Sequence, residues 1–172
     1  MQNVLLVVDT SNIKYCLDRT FGNGKMNYAK YREDAVGTDI VFASIAYGRN
    51  FGDIQWPFCK TLKCLGFEIK FKDGVLRKSG DIQSEKWVGW NVGIAVDIMN
   101  AIHNSAGKID KVIIGSSEPE LIHVVEYLRS RHMPVEIFAC GIPRLIRDAA
   151  TSCRDIGPEY LLNTANNSKD AE

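Results

Sequence analysis

The chain has 172 residues, of which 45% are hydrophobic and 24% charged, and its formal net charge is zero. Both fractions are near the average of globular proteins, which excludes a disordered, collagenous or coiled-coil chain. The length predicts one domain with a single hydrophobic core. Zero net charge removes the simplest argument for a nucleic-acid partner, so a polyanion would have to be held by local charge.

The amino terminus and the cysteines bear on the cellular compartment. The apolar run at residues 4–8 is too short for the core of a signal peptide and follows no basic segment. No apolar stretch reaches the length of a membrane span. The five cysteines form no Cys-x-x-Cys pair, and the spacing of Cys59 and Cys64 matches no standard zinc ligand pair. We therefore expect a cytoplasmic protein with reduced thiols and no membrane segment.

Apolar, β-branched runs alternate along the chain with stretches in which apolar residues have helical spacing. The predicted strands are residues 4–8, 39–46, 67–71, 111–114 and 134–139. The predicted helices are residues 13–19, 28–35, 56–64, 91–103, 119–131 and 142–153. Ser11 or Asn12 is the predicted cap of the first helix. The polar residues 73–85 predict a loop or hairpin because they contain two glycines.

Strands that alternate with helices indicate βαβ crossovers and a parallel sheet. We therefore predict an α/β fold, a three-layer αβα sandwich with a mostly parallel central sheet of about five strands. The domain is expected to span residues 1–163, and residues 164–172 a polar, flexible tail. In such folds ligands bind beyond the carboxyl ends of the strands, where Asp9 and residues 116–120 fall.

Three segments bring carboxylates or amides to this edge, namely residues 9–12, 90–97 and 116–121. A cluster of carboxylates repels itself unless protons or a hard divalent cation neutralise it. Mg²⁺ or Mn²⁺ in such a cluster can activate water against a phosphodiester. The candidate catalytic residues are Asp9, Asn12, Asn91, Asp97, Glu118 and Glu120. The candidate metal ligands among them are Asp9, Asn91, Asp97 and Glu118.

Each of these residues also has a simpler interpretation. Asp9 or Asn91 would serve only as a helix cap. Glu118 and Glu120 would only complement a helix dipole. Asp97 would be a solvated helix residue, and its separation of six residues from Asn91 places the two on different helix faces. The three segments together are more informative than any one residue, because all three fall at the sheet edge where this fold class binds ligands.

Four segments of the chain resemble the NYN-domain family, relatives of the PIN-domain ribonucleases. VLLVVDTSNIKY resembles the family's apolar strand followed by Asp-x-x-Asn, and WVGWNVGIAVDIMNAI its Lys-Gly-Val-Asp-Val-x-Leu-x-x-Asp helix start. VIIGSSEPELIHVVEYLRSRHMPVEIFA resembles its strand, Ser-Gly-Asp-Ser-Asp-Phe turn, helix and strand. IPRLIRDAATSCRDIGPEYL resembles its closing helix and short terminal strand. The resemblance implies a PIN/NYN-like fold and metal-dependent cleavage of RNA by carboxylates.

The sequence departs from the family pattern at its acidic positions. Asn91 stands where the family has Asp, and an amide offers a ligand oxygen without charge. Glu118 and Glu120 replace Asp and reach one methylene further, with Pro119 between them, and Ser117 replaces the turn glycine. The function predicted from the sequence is a metal-dependent endoribonuclease, a hydrolase. The alternative is a catalytically weakened NYN-like module for RNA binding or protein interaction.

Local charge supplies a candidate surface for RNA, whether single-stranded or structured. Residues 60–86 hold seven basic and four acidic side chains, although an ordinary solvated face would look the same. Trp90 would stack on a base or pack in the core. The residues assigned to RNA contact are Ser116, Ser117, Arg77, Lys78, Lys86 and Trp90. We expect modest, salt-sensitive binding with few phosphate contacts, and a homodimer is a further alternative.

Overall fold

The structure is a computed structural model that describes residues 1–22, 24–49, 56–72, 74–79, 82–87 and 90–162. Of residues 56, 72, 74–79 and 82–87 it describes only the backbone. The predicted tail at residues 164–172 lies outside the described residues. No helix in the described ranges is long and apolar enough to span a membrane. All five cysteines fall within these ranges and are free thiols.

The described residues form eight strands in two sheets. The strands are β1 Asn3–Asp9, β2 Ile40–Arg49, β3 Glu68–Lys72, β4 Gly74–Ser79, β5 Ile82–Trp87, β6 Lys111–Gly115, β7 Val135–Ala139 and β8 Ser152–Asp155. Six of them form one sheet in the order β3-β2-β1-β6-β7-β8, in which every pair is parallel. β4 and β5 form a separate antiparallel hairpin, as the polar segment with two glycines predicts. The predicted parallel α/β fold is confirmed.

Helices cover both faces of the large sheet. They are α1 Thr10–Phe21, α2 Tyr28–Val36, α3 Trp56–Cys64, α4 Asn91–Asn104, α5 Ile122–Ser130 and α6 Arg144–Ala149. Apolar residues of α1, α2 and α3 pack on one face, and those of α4, α5 and α6 pack on the other. β1 contributes to both cores, because Leu5 and Val7 face one layer while Val4, Leu6 and Val8 face the opposite one. The three-layer sandwich follows from this division.

Three predicted boundaries are wrong for reasons that lie outside the local pattern. β2 continues to Arg49 because its last residues pair with β3. The predicted helix 142–153 ends at Ala149, because residues 152–155 pair with β7 as a sixth parallel strand. The predicted helix 119–131 opens with a 3-10 turn, Pro119–Leu121, before α5 begins.

The strand order fixes where a ligand can bind. From β1 the chain builds the sheet in one direction through β2 and β3, and then in the other through β6, β7 and β8. The direction therefore reverses between β1 and β6, and in open parallel sheets this reversal opens a crevice at the carboxyl ends of the strands. Asp9 ends β1 and Ser116 follows β6, so both lie at this crevice.

Candidate functional site

Asp9 is both the last residue of β1 and the cap of α1. Its Oδ1 accepts hydrogen bonds from the backbone N–H groups of Ser11, at 3.0 Å, and Asn12, at 3.1 Å. The predicted cap at Ser11 or Asn12 is therefore wrong: β1 leads into α1 without a loop, so Asp9 is the residue immediately before the helix. With only 2% exposure, the carboxylate is buried at the positive end of α1.

Asn12 joins the two sides of the crevice. Its Nδ2 donates a hydrogen bond to Glu118 Oε1 at 2.8 Å, while its Oδ1 accepts one from the backbone N–H of Ser117 at 2.9 Å. The Ser117 hydroxyl donates to the same Oδ1 at 3.1 Å. Because the Asn12 backbone also contacts Asp9, this one amide residue touches both carboxylate residues.

The turn after β6 is shaped by its serines. Ser116 is 1% exposed, and its Oγ accepts a hydrogen bond from the backbone N–H of Glu118 at 3.3 Å. Ser117 is 6% exposed, and its hydroxyl also lies 3.4 Å from the Cys16 thiol. Burial of both serines favours a role in holding Glu118, and their contact with RNA stays a prediction.

Asp97 is neutralised by the chain itself. Its Oδ1 forms an ion pair with Lys70 Nζ at 2.7 Å, and its Oδ2 accepts a hydrogen bond from the Tyr47 hydroxyl. In the sheet register Tyr47 lies beside Asp9 on one side and beside Lys70 on the other. The pKa of Tyr47 is raised well above its ordinary value, first by burial and then by the Asp97 carboxylate. Asp97 is therefore already engaged within the protein.

Asn91 and Glu120 lie together on a more exposed part of the edge. Asn91 Nδ2 donates a hydrogen bond to Glu120 Oε2 at 3.3 Å. Asn91 is the first residue of α4, and the residue in the cap position is Trp90, which makes no side-chain cap bond. The alternative that Asn91 only caps the helix is therefore not supported. The Asn91 side chain instead contacts Glu120, in the segment that follows β6.

Trp90 packs against the core cluster, with its ring centre 6.4 Å from that of Tyr47. This position favours the core alternative for Trp90, and its contact with RNA stays a prediction. Arg77, Lys78 and Lys86 lie in the β4–β5 hairpin, and their side chains are outside the described part of the chain. Their assignment to RNA contact therefore also stays a prediction.

The described side chains fit a hard cation only as a pair of carboxylates. Within this part of the chain, no group of three or more His, Cys, Asp or Glu residues is placed to hold a metal ion. Asp97 is neutralised by Lys70, and Glu120 lies with Asn91 on the more exposed part of the edge. Asp9 and Glu118 share Asn12, however, and Mg²⁺ in proteins takes one or two carboxylates and completes its shell with water and phosphate. These two residues suit such an ion.

Sequence reasoning missed the partners of Asp97. Tyr47 lies one residue beyond the predicted strand 39–46, and Lys70 is one of the seven basic residues of the segment 60–86. The useful signal is the position of both residues near the carboxyl ends of neighbouring strands. Their convergence on Asp97 depends on the packing of α4 and has no signature along the chain.

An all-parallel α/β sheet with carboxylates and amides at its switch point defines a class of proteins that bind ligands at this edge. The family model described as "NYN domain" matches residues 3–157. The chain therefore belongs to the NYN-domain family. No curated protein matches the chain.

A solved structure of a protein of unknown function from Vibrio parahaemolyticus has a similar fold. The TM-score is 0.77 at 21% sequence identity, and the match covers 94% of this chain and 97% of that one. At this level of identity the likeness shows the shared fold alone.

Proposed function

We propose that this protein is an endoribonuclease that cleaves RNA phosphodiesters with Mg²⁺ or Mn²⁺ held by Asp9 and Glu118. The observation that carries the proposal is the contact of both residues with Asn12 across the switch point. Membership of a PIN-like nuclease family supports the same reaction. When bound, the ion would neutralise the scissile phosphate and activate a water molecule.

The roles of the side chains follow from their contacts. Asn12 positions both carboxylate residues, since its backbone N–H and its side-chain amide each bind one of them. Ser116 holds the backbone of Glu118. Asn91 and Glu120 lie on the exposed rim, where they are placed to contact the RNA or the hydration shell of the ion.

The test is RNA cleavage with Mn²⁺ by wild type, Asp9→Asn and Glu118→Gln. Asn caps helices as well as Asp does, so Asp9→Asn removes the charge and keeps the cap of α1, whereas alanine would remove both. We expect each variant to lose about a hundredfold in rate, since a metal ion supplies several kcal/mol and each factor of ten corresponds to about 1.4 kcal/mol.

The matched control is Asp148→Asn, which removes an exposed carboxylate of α6 that pairs only with Arg144 among the described contacts. It should cleave at the wild-type rate. Equal cleavage by wild type and Asp9→Asn, or undiminished cleavage in EDTA, would contradict the proposal. A thermal unfolding curve of each variant separates loss of charge from loss of fold.

The second candidate function is a catalytically weakened module that binds RNA or a protein. It is favoured by the uncharged Asn91 and by the pairing of Asp97 with Lys70, which reduce the negative charge that is available to hold a metal ion. Asn91→Asp in the same assay discriminates between the candidates: cleavage that appears only in this variant supports the weakened module.

Two further expectations from the sequence stay predictions, namely a cytoplasmic location and a homodimer. Light scattering tests the homodimer.

A further inference from the structure

A cavity of about 790 Å³ lies beside the candidate site. Its walls include Thr10 and Ser11, the two residues that follow Asp9, together with Phe58 of α3. Small-molecule sites in proteins are clefts of about 300–1,000 Å³ with mostly apolar walls and a few polar groups. The cavity therefore has the size of a ligand site, and the site described above does not use it.

Aromatic side chains form part of the cavity wall. Tyr28 and Phe58 are in contact, with ring centres 5.6 Å apart and planes inclined by 58°. Tyr15 is 55% exposed, and its hydroxyl accepts a hydrogen bond from Arg19 Nη1 at 3.1 Å. Rings of this kind stack on nucleobases regardless of sequence, because every base has a π face.

Among the described residues, basic side chains outnumber acidic ones in the cavity wall. Lys14, Lys25 and Arg49 line the cavity, while Asp18 is the one carboxylate in its wall among the described residues. Asp18 forms an ion pair with Lys14 on the next turn of α1. The excess of cations suits a ligand that carries phosphate.

The cavity lies close to Asp9, whose two following residues form part of its wall. Thr10, in its wall, donates a hydrogen bond from Oγ1 to the carbonyl oxygen of Tyr47 at 2.7 Å, and Tyr47 contacts Asp97. The pKa of Tyr28 is raised by burial and further by the charge of Asp9. A ligand in the cavity would therefore lie close to Asp9, one of the two carboxylates proposed to act on RNA.

We propose that this cavity binds one unpaired nucleotide of a single-stranded RNA. Its base contacts Tyr15 and Phe58, and its backbone leads to Asp9 and Glu118. A base within a duplex is already paired and stacked, so it cannot enter. The choice of RNA as the ligand rests on the proposed function. This inference narrows the substrate of that function to RNA that is single-stranded at the cleaved position.

The test is binding of a fluorescein-labelled oligouridylate, measured by fluorescence anisotropy. EDTA is present to remove divalent ions, so that the measurement of binding does not depend on cleavage. We expect the single strand to bind more tightly than a duplex of the same length, and inorganic polyphosphate to compete poorly because it has no bases. Tyr15→Ala should weaken binding about tenfold, the loss typical of one stacked base. The control Tyr127→Ala removes a tyrosine of similar exposure, 46%, from α5 on the opposite face, and should bind like wild type.

A second pair of variants tests the charge of the wall. Lys25→Ala should reduce the slope of log affinity against log salt by about one, whereas Lys108→Ala, which also replaces an exposed lysine, should leave it unchanged. Both replaced lysines are exposed, so neither change threatens the core. Equal salt slopes in the two variants would mean that Lys25 does not meet the RNA backbone.

The proposal is overturned if the duplex binds as tightly as the single strand, if polyphosphate competes as well as oligouridylate, or if Tyr15→Ala and Tyr127→Ala behave alike. Binding only of a protein partner, without binding of oligouridylate, also overturns it. The two proposals fail separately. Binding of the single strand by a wild-type protein that does not cleave RNA with Mn²⁺ contradicts the nuclease, and cleavage without these binding differences contradicts the nucleotide cavity.

Discussion

At the scale of the residue, the surroundings of each acid decide what it can do. Asp97 and Glu118 both lie at the carboxyl edge of the sheet, but Asp97 meets a lysine and a tyrosine while Glu118 meets an amide. An ammonium partner neutralises a carboxylate, whereas an amide orients it and leaves its charge for a ligand. The sequence alone assigned the two residues the same role.

This difference predicts the effect of removing Lys70. By strand spacing Lys70 lies two strands, or about 10 Å, from Asp9, where its repulsion of a divalent ion is worth about 0.8–3.3 kcal/mol. Lys70→Met should therefore raise Mn²⁺ affinity at least about fourfold, as measured by calorimetric titration. Lys70→Arg keeps the charge and should bind Mn²⁺ like wild type. An unchanged or weaker affinity in Lys70→Met would show that the Lys70–Asp97 pair has no electrostatic influence on the site.

At the scale of the element, the site depends on how closely β6 approaches its neighbours. Gly115 ends β6 just before Ser116. A methyl group added there would lie 2.5 Å from the hydroxyl oxygen of Tyr31 and 3.2 Å from both Cγ atoms of Val8. The Tyr31 hydroxyl cannot yield easily, because it donates a hydrogen bond to the Phe138 carbonyl oxygen at 2.8 Å in a fully buried position.

Gly115→Ala should therefore destabilise the fold by about 1–3 kcal/mol, the usual cost of overpacking a core. Urea unfolding measures this difference, and addition of Tyr31→Phe should recover part of it by removing the clashing oxygen. The control is Gly48→Ala, near the end of β2 at the same edge, where among the described residues the methyl would meet only Thr10 Oγ1 at 3.5 Å. Equal stability of the two alanine variants would contradict the clash.

At the scale of the whole molecule, the end of the described chain closes over α2 and the cavity. The carbonyl oxygen of Tyr160 accepts a hydrogen bond from the Asn27 N–H at 2.7 Å, and the N–H of Leu162 donates one to the Lys25 carbonyl oxygen at 2.7 Å. The Tyr160 hydroxyl donates to Asp34 Oδ2 at 2.9 Å. These contacts join residues more than 120 positions apart, so they hold the fold together as a unit.

Asp34 makes this closure dependent on pH. Hydrogen bonds from Lys30 and then Tyr160 hold the pKa of its carboxyl below the ordinary value, so the folded chain binds fewer protons there than the unfolded chain. The stabilisation is present above the ordinary carboxyl pKa of about 4 and is lost as the pH falls through the lowered value. Asp34→Asn should lower the urea midpoint at neutral pH, and the difference from wild type should shrink near pH 3. A difference independent of pH would contradict this assignment.

The alternating pattern of strands and helices can be predicted from the amino-acid sequence alone. The sequence also placed Asp9 and the turn at residues 116–118 at one edge. These features are local, because continuous apolar β-branched runs and helical spacing depend on residues close along the chain. The same local pattern identified the family, and most predicted elements overlap the observed ones. The departures at Asn91, Glu118 and Glu120 were visible for the same reason.

Only the tertiary structure decided which of those residues meet. The end of α6 and the strand β8 depend on pairing with β7, since four residues do not specify a strand without a neighbour. The contact of Asn12 with Glu118 spans 106 positions, and that of Tyr47 with Asp97 spans 50. Such contacts follow from strand order and helix packing, and for this reason the sequence predicted a set of acids while the structure divided it into a carboxylate pair and an internal ion pair.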